Sequence, residues 1–206
     1  MKKIYLFMTM ALTVFATTFT SCEDEQVNPN DPIQNDGDEN ENYQMYSFNT
    51  TLNYDSGKPS SGSAFCASSR QAVPATSSDA DFCALWQSQY GTVLCSPNAS
   101  WAKEMYTTVN NTNYSNTNST KIENLGIVDI QDYYDVNVLE NMSVGTSYIG
   151  DSKNLGVGVS KLSSGQVIAF QTSDGCKGVA KVISAKATRS VSISGYVAVP
   201  KNSSGK

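Results

Sequence analysis

The chain has 206 residues, of which 39% are hydrophobic, 14 are basic and 19 are acidic, with a net charge of −5 and no histidine. Without histidine, Ser-His-Asp and Cys-His catalytic arrangements and His-ligated zinc sites are excluded. Nucleic acid is not an expected partner, because proteins that bind it need an excess of Lys and Arg against the phosphates.

The first residues predict how the protein is exported and held. Lys2 and Lys3 precede an apolar run, Ile4 to Phe19, that is short for a membrane-spanning helix and typical of a secretory signal. Cys22 follows two small residues, an arrangement that resembles the lipobox of bacterial lipoproteins. The resemblance implies a signal peptide over residues 1–21 and a lipid such as palmitate on Cys22, whose buried acyl chains hold the protein at a membrane. The alternative is an ordinary cleaved signal followed by a chance cysteine.

The next segment, residues 22–42, is predicted to be a disordered tether. Eight acids and no Lys or Arg lie between Glu23 and Glu41. Such a composition cannot bury enough apolar surface to fold. The acidic run directly after Cys22 resembles the export signal of surface lipoproteins in Bacteroidetes-type bacteria. That resemblance implies an outer-membrane protein that is exposed on the cell surface.

Residues 43–206 are predicted to form a single β-rich domain. Alternating apolar residues are separated by turn signals about every eight to twelve residues. This pattern favours a mainly β, sandwich- or barrel-like antiparallel domain with one or two short helices. The predicted strands are Tyr43–Leu52, Ser63–Val73, Ala80–Gln89, Thr92–Cys95, Leu155–Leu162, Val167–Thr172, Gly178–Ser184 and a last strand from Val191 to Val199. Ser173-Asp174-Gly175 is predicted to form a tight turn, and Ser192 and Ser194 are predicted to point outward from the last strand.

Three stretches between these strands have other predicted structures. A short helix is expected after Pro97, with Asn98 or Ser100 as its N-cap and Trp101 on its apolar face. Thr107–Thr120 is a polar, Asn-rich loop. Leu125–Met142 is compatible with either a helix or a strand.

Two sequence blocks resemble those of a known group of proteins. One runs from Asp81-Phe82 through Gly91–Leu94 to Ser96-Pro97, and the other is Gly165–Gly175, closed by Gly178–Val182. Both resemble blocks of uncharacterised secreted lipoproteins of Bacteroidetes-type bacteria. The resemblance implies a cell-surface location and a β-rich domain, and it assigns no functional residue.

The domain contains four cysteines: Cys66, Cys83, Cys95 and Cys176. An even number of cysteines in an exported protein predicts two disulfides, with three ways to pair them. The alternative is that the thiols are small, buried hydrophobic groups. A zinc site would need all four thiolates to converge, so no metal and no other cofactor are expected.

Two features are candidates for ligand contact. Trp101 borders the Asn-rich loop, where an exposed ring would stack on a sugar, although packing in the core is the alternative. Lys177, Lys181, Lys186 and Arg189 are close in sequence, and from residue 141 onward there are eight bases against two acids. They predict a cationic surface for an anionic glycan or a host surface. The alternative is that these side chains protect solvent faces and edge strands.

Three aspartates, Asp129, Asp132 and Asp135, recur at helical spacing. Such a group is compatible with a glycosidase pair or a calcium site. No Gly-centred calcium loop surrounds them, however, and acids are also favoured at helix N-termini and on solvated helix faces.

These features predict a lipid-anchored, cell-surface protein with a non-catalytic binding module for a polysaccharide or a host surface. One alternative is a structural subunit that contacts another envelope protein and has an unpaired edge strand or a large apolar patch. The other is a carboxylate-based glycosidase, in which two acids converge in one cleft.

Overall fold

Two five-stranded antiparallel sheets form the domain in the computed structural model, which describes residues 40–54, 62–109, 111, 113–187 and 189–201. The strands are β1 (Tyr43–Asn53), β2 (Ala64–Cys66), β3 (Gln71–Val73), β4 (Phe82–Gln87), β5 (Gly91–Cys95), β6 (Thr120–Gly126), β7 (Gly158–Val159), β8 (Val167–Thr172), β9 (Lys177–Lys186) and β10 (Ser190–Pro200). The mainly β antiparallel prediction is therefore confirmed, in its sandwich form. The predicted signal peptide, Cys22 and the tether as far as residue 39 lie outside the described residues. Within the described ranges, no helix has the length and apolar character needed to cross a bilayer.

Sheet A has the strand order β1-β10-β9-β8-β6 and contains the long strands. β1 pairs with β10 along its whole length, from Tyr43 opposite Pro200 to Asn53 opposite Ser190. β8 and β9 are joined by the predicted Ser-Asp-Gly turn, in which Gly175 has a φ of 94°. This left-handed conformation is one that glycine adopts without a steric cost, so local turn chemistry produces the hairpin.

Sheet B has the order β3-β2-β4-β5-β7, and two of its strands are shorter than predicted. The predicted strand Ser63–Val73 is divided into β2 and β3 by a turn that ends at Arg70, whose φ is 62°. The predicted strand Leu155–Leu162 is reduced to β7, because Gly156 and Lys161 have φ values of 94° and 55°. Positive φ angles are incompatible with extended strands, so pairing ends at these residues.

Four phenylalanines join the two sheets at the centre of the core. Phe48 and Phe170 extend from sheet A, and Phe65 and Phe82 extend from sheet B. Their ring centroids lie between 4.7 and 6.4 Å apart. These distances are typical of favourable aromatic pairs, so the cluster holds the sheets together.

The outer face of sheet B is also buried, beneath a helix and the Asn-rich loop. Helix α1 (Ser100–Glu104) continues into a π-helical turn, Met105–Val109, and places Tyr106 over sheet B. Tyr114 of the Asn-rich loop stacks against Tyr106 with a centroid distance of 4.8 Å. The predicted apolar face of this helix is therefore correct. Its predicted cap is wrong, because Ala99 occupies the N-cap position and makes no side-chain bond.

Asparagine side chains attach this loop to the domain. Asn116 Nδ2 donates to the carbonyl oxygens of Ala75 at 3.3 Å and Ser77 at 2.6 Å. Asn118 Nδ2 donates to those of Ser78 and Ala80 at 2.5 and 2.9 Å. The amides satisfy carbonyl groups that no strand partner reaches, which explains how an Asn-rich segment packs closely.

The outer face of sheet A is covered along only part of its length. The ambiguous stretch Leu125–Met142 folds as the end of β6, a 3-10 turn at Ile130–Tyr133 and helix α2 (Val136–Asn141). Val136 and Leu139 of α2 pack on the outer side of sheet A. No other helix of the described part of the chain packs on the rest of this face, which contains the surface described below.

The predicted disulfides are absent. In the described structure all four cysteines are free and buried. Cys83 and Cys95 are register partners on β4 and β5. The amide of Ala84 donates to the Ser63 carbonyl, so the Cys83 backbone points toward β5 and the two cysteines form a hydrogen-bonded pair. The Cβ atoms of such a pair are roughly 5.5 Å apart, whereas a disulfide spans about 3.5–4.5 Å.

Burial gives these thiols a structural role. Cys83 lies under the outer cover of sheet B and Cys176 lies in the core between the sheets, so they cannot meet. Burial raises the pKa of Cys83 to about 12 and also raises the pKa of Cys95 and of Cys176. The neutral thiols act as small hydrophobic groups, which is the alternative that the sequence left open.

Candidate ligand-binding surface

Trp101, the predicted exposed aromatic residue, is only 3% exposed. Helix α1 directs its indole toward sheet B, where the ring meets Tyr90 edge-on at a centroid distance of 5.9 Å. Trp101 is therefore a packing residue and is not accessible to a ligand.

The predicted cationic residues do not converge on one patch. Lys177 and Lys186 lie at opposite ends of β9, nine residues and therefore about 30 Å apart. Lys177 Nζ donates to the carbonyl oxygens of Glu140 at 2.5 Å and Met142 at 3.3 Å, so it caps the end of α2. Arg189 lies beside Lys186 in the β9–β10 turn, where its amide donates to the Lys186 carbonyl. Of this predicted set, Lys181 lies in the middle of β9, on the outer face of sheet A.

Among the described residues, α2 covers only part of the outer face of sheet A. Met45, Val179 and Ala198 pack beneath α2. Because side chains alternate along a strand, every second residue farther along β1 and β10 points to this same face, and so does Lys181 of β9, which precedes the bulge in that strand. We call these residues the polar platform: Ser47, Asn49 and Thr51 of β1, Ser192 and Ser194 of β10, and Lys181 of β9.

Hydrogen-bonding groups on the polar platform are mostly unused. The hydroxyls of Thr51 and Ser192 bond to each other at 2.8 Å. The other four side chains have no hydrogen-bond or ion-pair partner among the described residues. Asn49 lies opposite Ser194, which lies opposite Lys181. An amide, a hydroxyl and an ammonium group therefore leave the sheet side by side, from strands about 5 Å apart.

Two tyrosines border the polar platform. Tyr196 follows Ser194 on the same face of β10, and Tyr134 stands against it with a centroid distance of 5.0 Å and an interplanar angle of 70°. Gln131 Nε2 donates to the Tyr196 hydroxyl at 2.9 Å. Tyr134 is 44% exposed. A supported aromatic ring is thus open to a ligand at the edge of the platform.

Two of the three aspartates cap helical turns. Asp129 Oδ1 accepts a bond from the Gln131 amide at 3.0 Å, and Asp135 Oδ1 accepts one from the Asn137 amide at 2.7 Å. These bonds begin the 3-10 turn and α2. In the part of the chain that the structure describes, no three Cys, Asp or Glu side chains are close enough to hold a metal ion. The helix-N-terminus interpretation is therefore correct for Asp129 and Asp135.

The sequence predicts the orientation of only some of the side chains on this surface. The outward direction of Ser192 and Ser194 follows from their alternation with Val191 and Ile193, and it is confirmed. The pairing of Tyr134 with Tyr196 was missed, because a 3-10 turn brings distant parts of the chain together. The adjacent tyrosines at 133 and 134 were the available signal.

Comparison with known proteins finds no matching family model, no matching curated protein and no matching solved structure.

Proposed function

We propose that this protein is a surface lipoprotein whose domain binds a polysaccharide without cleaving it. The observation that supports this function is the polar platform with its tyrosine border. Hydroxyl, amide and ammonium groups without partners match the hydrogen-bonding groups of a sugar. An exposed tyrosine adds a ring that can pack against the apolar face of a pyranose.

The shape of the platform favours an extended ligand. From Ser47 to Thr51 it extends about 13 Å along β1, and it crosses three strands. A flat strip of this length fits part of a polymer chain better than an isolated small molecule. Binding of this kind leaves the ligand open to solvent, as expected of a module that attaches and does not react.

The aspartates favour binding over catalysis. A glycosidase needs two carboxyl groups that face each other across the scissile bond. Asp129 and Asp135 instead accept backbone N–H bonds at the starts of helical turns. We therefore propose no catalytic residue and no cofactor.

The predicted lipid anchor at Cys22 is consistent with a role at the cell surface. A lipid on Cys22 would hold the chain in the outer membrane, with the acidic segment as a spacer. The chain enters the domain beside α2, where Asn40 Nδ2 donates to Glu140 Oε2 at 2.6 Å and to Asn137 Oδ1 at 3.0 Å. The membrane is then a partner through the lipid, and the polysaccharide is a partner through sheet A.

The test is binding of the purified protein to a panel of neutral and anionic polysaccharides, with release of reducing ends followed in the same samples. We expect binding without product. Tyr134→Ala should weaken binding by roughly tenfold, as expected for loss of an exposed aromatic anchor. Ile127→Ala, which alters an 83% exposed side chain outside the platform, should not change it. Product release would favour the glycosidase alternative, and no binding to any polymer would contradict the proposal.

A second candidate is a structural subunit of an envelope complex, which an edge strand supports. β1 is at the edge of sheet A, and its 11 residues include no charged residue and no proline, the usual protections of an edge. β3 lies near β1 without a ladder of hydrogen bonds to it. This candidate predicts that a strand of another envelope protein adds to β1.

A proline at position 49 tests this second candidate. The amide of Asn53 bonds to Gly62, away from β10, so the amides of the other odd-numbered residues of β1 also point outward. Asn49→Pro would remove an outward backbone N–H, together with the Asn49 side chain, without removing a bond to β10, and should block strand addition. Thr50→Pro, its neighbour, would remove a bond to β10 and destabilise the fold. Assembly that persists in Asn49→Pro would contradict strand addition.

A further inference from the structure

Arg70 has an unusual backbone conformation for its residue type. It is the last residue of the turn between β2 and β3, and its φ is 62°. A left-handed φ is unfavourable for a residue with a long side chain, and such conformations are concentrated at functional sites. The turn is therefore strained at Arg70, whose side chain reaches Tyr46 of sheet A.

The guanidinium group of Arg70 is fixed on two sides. Its Cζ lies 4.2 Å from the centroid of the Tyr46 ring, in a cation–π arrangement. Its Nη1 donates to the carbonyl oxygen of Ser68 at 2.9 Å. These contacts orient the planar group between the edges of the two sheets.

The remaining donors of Arg70 have no partner. Nε is buried and makes no hydrogen bond. Nη2 has no hydrogen-bond or ion-pair partner among the described residues. A buried N–H without an acceptor is rare in folded proteins and calls for a ligand or an ordered solvent atom.

The unpaired atoms have the geometry of a carboxylate site. Nε and Nη2 form the lateral fork of the guanidinium, whose two N–H bonds run parallel and match the two oxygens of a carboxylate. Nη2 is not among the buried atoms and can meet a ligand directly, whereas the buried Nε makes its bond only when the guanidinium turns outward. We propose that Arg70, supported by Tyr46 and Ser68, binds the carboxylate of a uronic acid residue. The choice of a uronic acid as the source rests on the proposed carbohydrate function, whereas the carboxylate itself follows from the fork.

This site is separate from the polar platform. Tyr46 packs against the core on the inner face of β1, whereas Ser47 points to the outer face. A variant of one site therefore leaves the other intact, and the two proposals can fail independently.

The experiment is titration of the full-length protein with trigalacturonate, with the matching neutral trisaccharide and with a glutamate tripeptide, at about 0.15 M salt to screen distant lysines. We expect trigalacturonate to bind and to raise the melting temperature, with no such effect from the neutral sugar. Arg70→Asn should abolish this binding, since asparagine tolerates the left-handed φ but has no guanidinium. Arg70→Lys should weaken it by roughly tenfold or more, because lysine keeps the charge and loses the fork.

Two controls make the result decisive. Melting of Arg70→Asn without ligand reports whether the variant folds, and Ile127→Ala, which lies outside both sites, should keep full affinity for trigalacturonate. The proposal is overturned if the wild-type protein binds no carboxylate ligand, if Arg70→Asn folds and binds normally, or if only the peptide binds. If Lys181→Ala and Tyr134→Ala lose trigalacturonate and Arg70→Asn does not, the polar platform is the carboxylate site and the assignment to Arg70 fails.

Discussion

Replacing Phe65 by alanine is a direct test of how the two sheets are joined. Phe65 is fully buried on sheet B, and its ring lies 4.7 Å from Phe48, 5.0 Å from Phe82 and 6.1 Å from Phe170. Two of these contacts cross to sheet A. The substitution therefore removes a ring that contacts the other three rings of the aromatic cluster, as the ring of Phe170 also does.

The expected cost follows from the size of the lost group. Phe→Ala in a core destabilises by about 3–5 kcal/mol, through the lost transfer free energy and the cavity that remains. We expect about 4 kcal/mol, a large share of the roughly 5–15 kcal/mol that stabilises a typical domain. For a domain of this size, that loss lowers the melting temperature by about 8–16 °C.

The assay is urea unfolding followed by tyrosine and tryptophan fluorescence, with the slope of the transition compared between variants. Phe65→Leu refills much of the space and should cost about half as much. Ile127→Ala, on the surface, should stay within about 0.5 kcal/mol of the wild type. A cost below about 1 kcal/mol for Phe65→Ala would refute the packing of the two sheets through this cluster.

Three further predictions concern buried groups. The pKa of Cys83 is about 12 in the folded protein and 9.0 in an exposed thiol, so the unfolded chain loses this proton first. Below about pH 9 the thiol is neutral in both states and the free energy of unfolding does not depend on it. Between about pH 9 and 12 only the unfolded chain loses the proton, so the free energy of unfolding falls by about 1.4 kcal/mol per pH unit. Cys83→Ala should flatten this slope in urea titrations, and an unchanged slope would contradict the burial. Asn118→Ala should destabilise the domain by about 1–3 kcal/mol, because the carbonyl groups of Ser78 and Ala80 lose their donor. The control is Asn113→Ala, at an exposed position of the same loop, and equal losses of stability in the two variants would argue against these bonds. Gly195→Ala should cost about 3 kcal/mol or prevent folding, because its Cβ would lie 1.9 Å from a backbone oxygen of β9. A variant that unfolds at the same urea concentration as the wild type would contradict this packing.

Some elements could be predicted because their signals are local. β8 occupies the predicted residues Val167–Thr172, and the Ser-Asp-Gly turn after it forms as expected. The alternation of Ser192 and Ser194 with apolar residues correctly indicates which side chains leave the last strand. Turn chemistry and a period of two depend only on neighbouring residues, so one sequence contains them.

Burial and disulfide pairing could not be predicted, because they depend on partners far away in the chain. Strand β4 forms within the predicted residues Ala80–Gln89, but both of its faces are buried, since Phe82 packs toward sheet A and Cys83 packs under the cover of sheet B. Alternation within one strand does not reveal that its second face is also covered. The disulfide prediction failed for a related reason, because an even count of cysteines says nothing about which face of a sheet each one occupies.

The sequence by itself determined the β-rich class and the hairpins of the C-terminal part, since these depend on composition and short-range pattern. The export and the lipid anchoring of the chain stay predictions. Only the tertiary structure decided which side chains are accessible. It buried Trp101, separated Lys177 from Lys186, placed Tyr134 on Tyr196 and left the Nε of Arg70 without a partner. Accessibility depends on which elements cover which faces of the two sheets, and that covering is set by contacts between residues far apart in the chain.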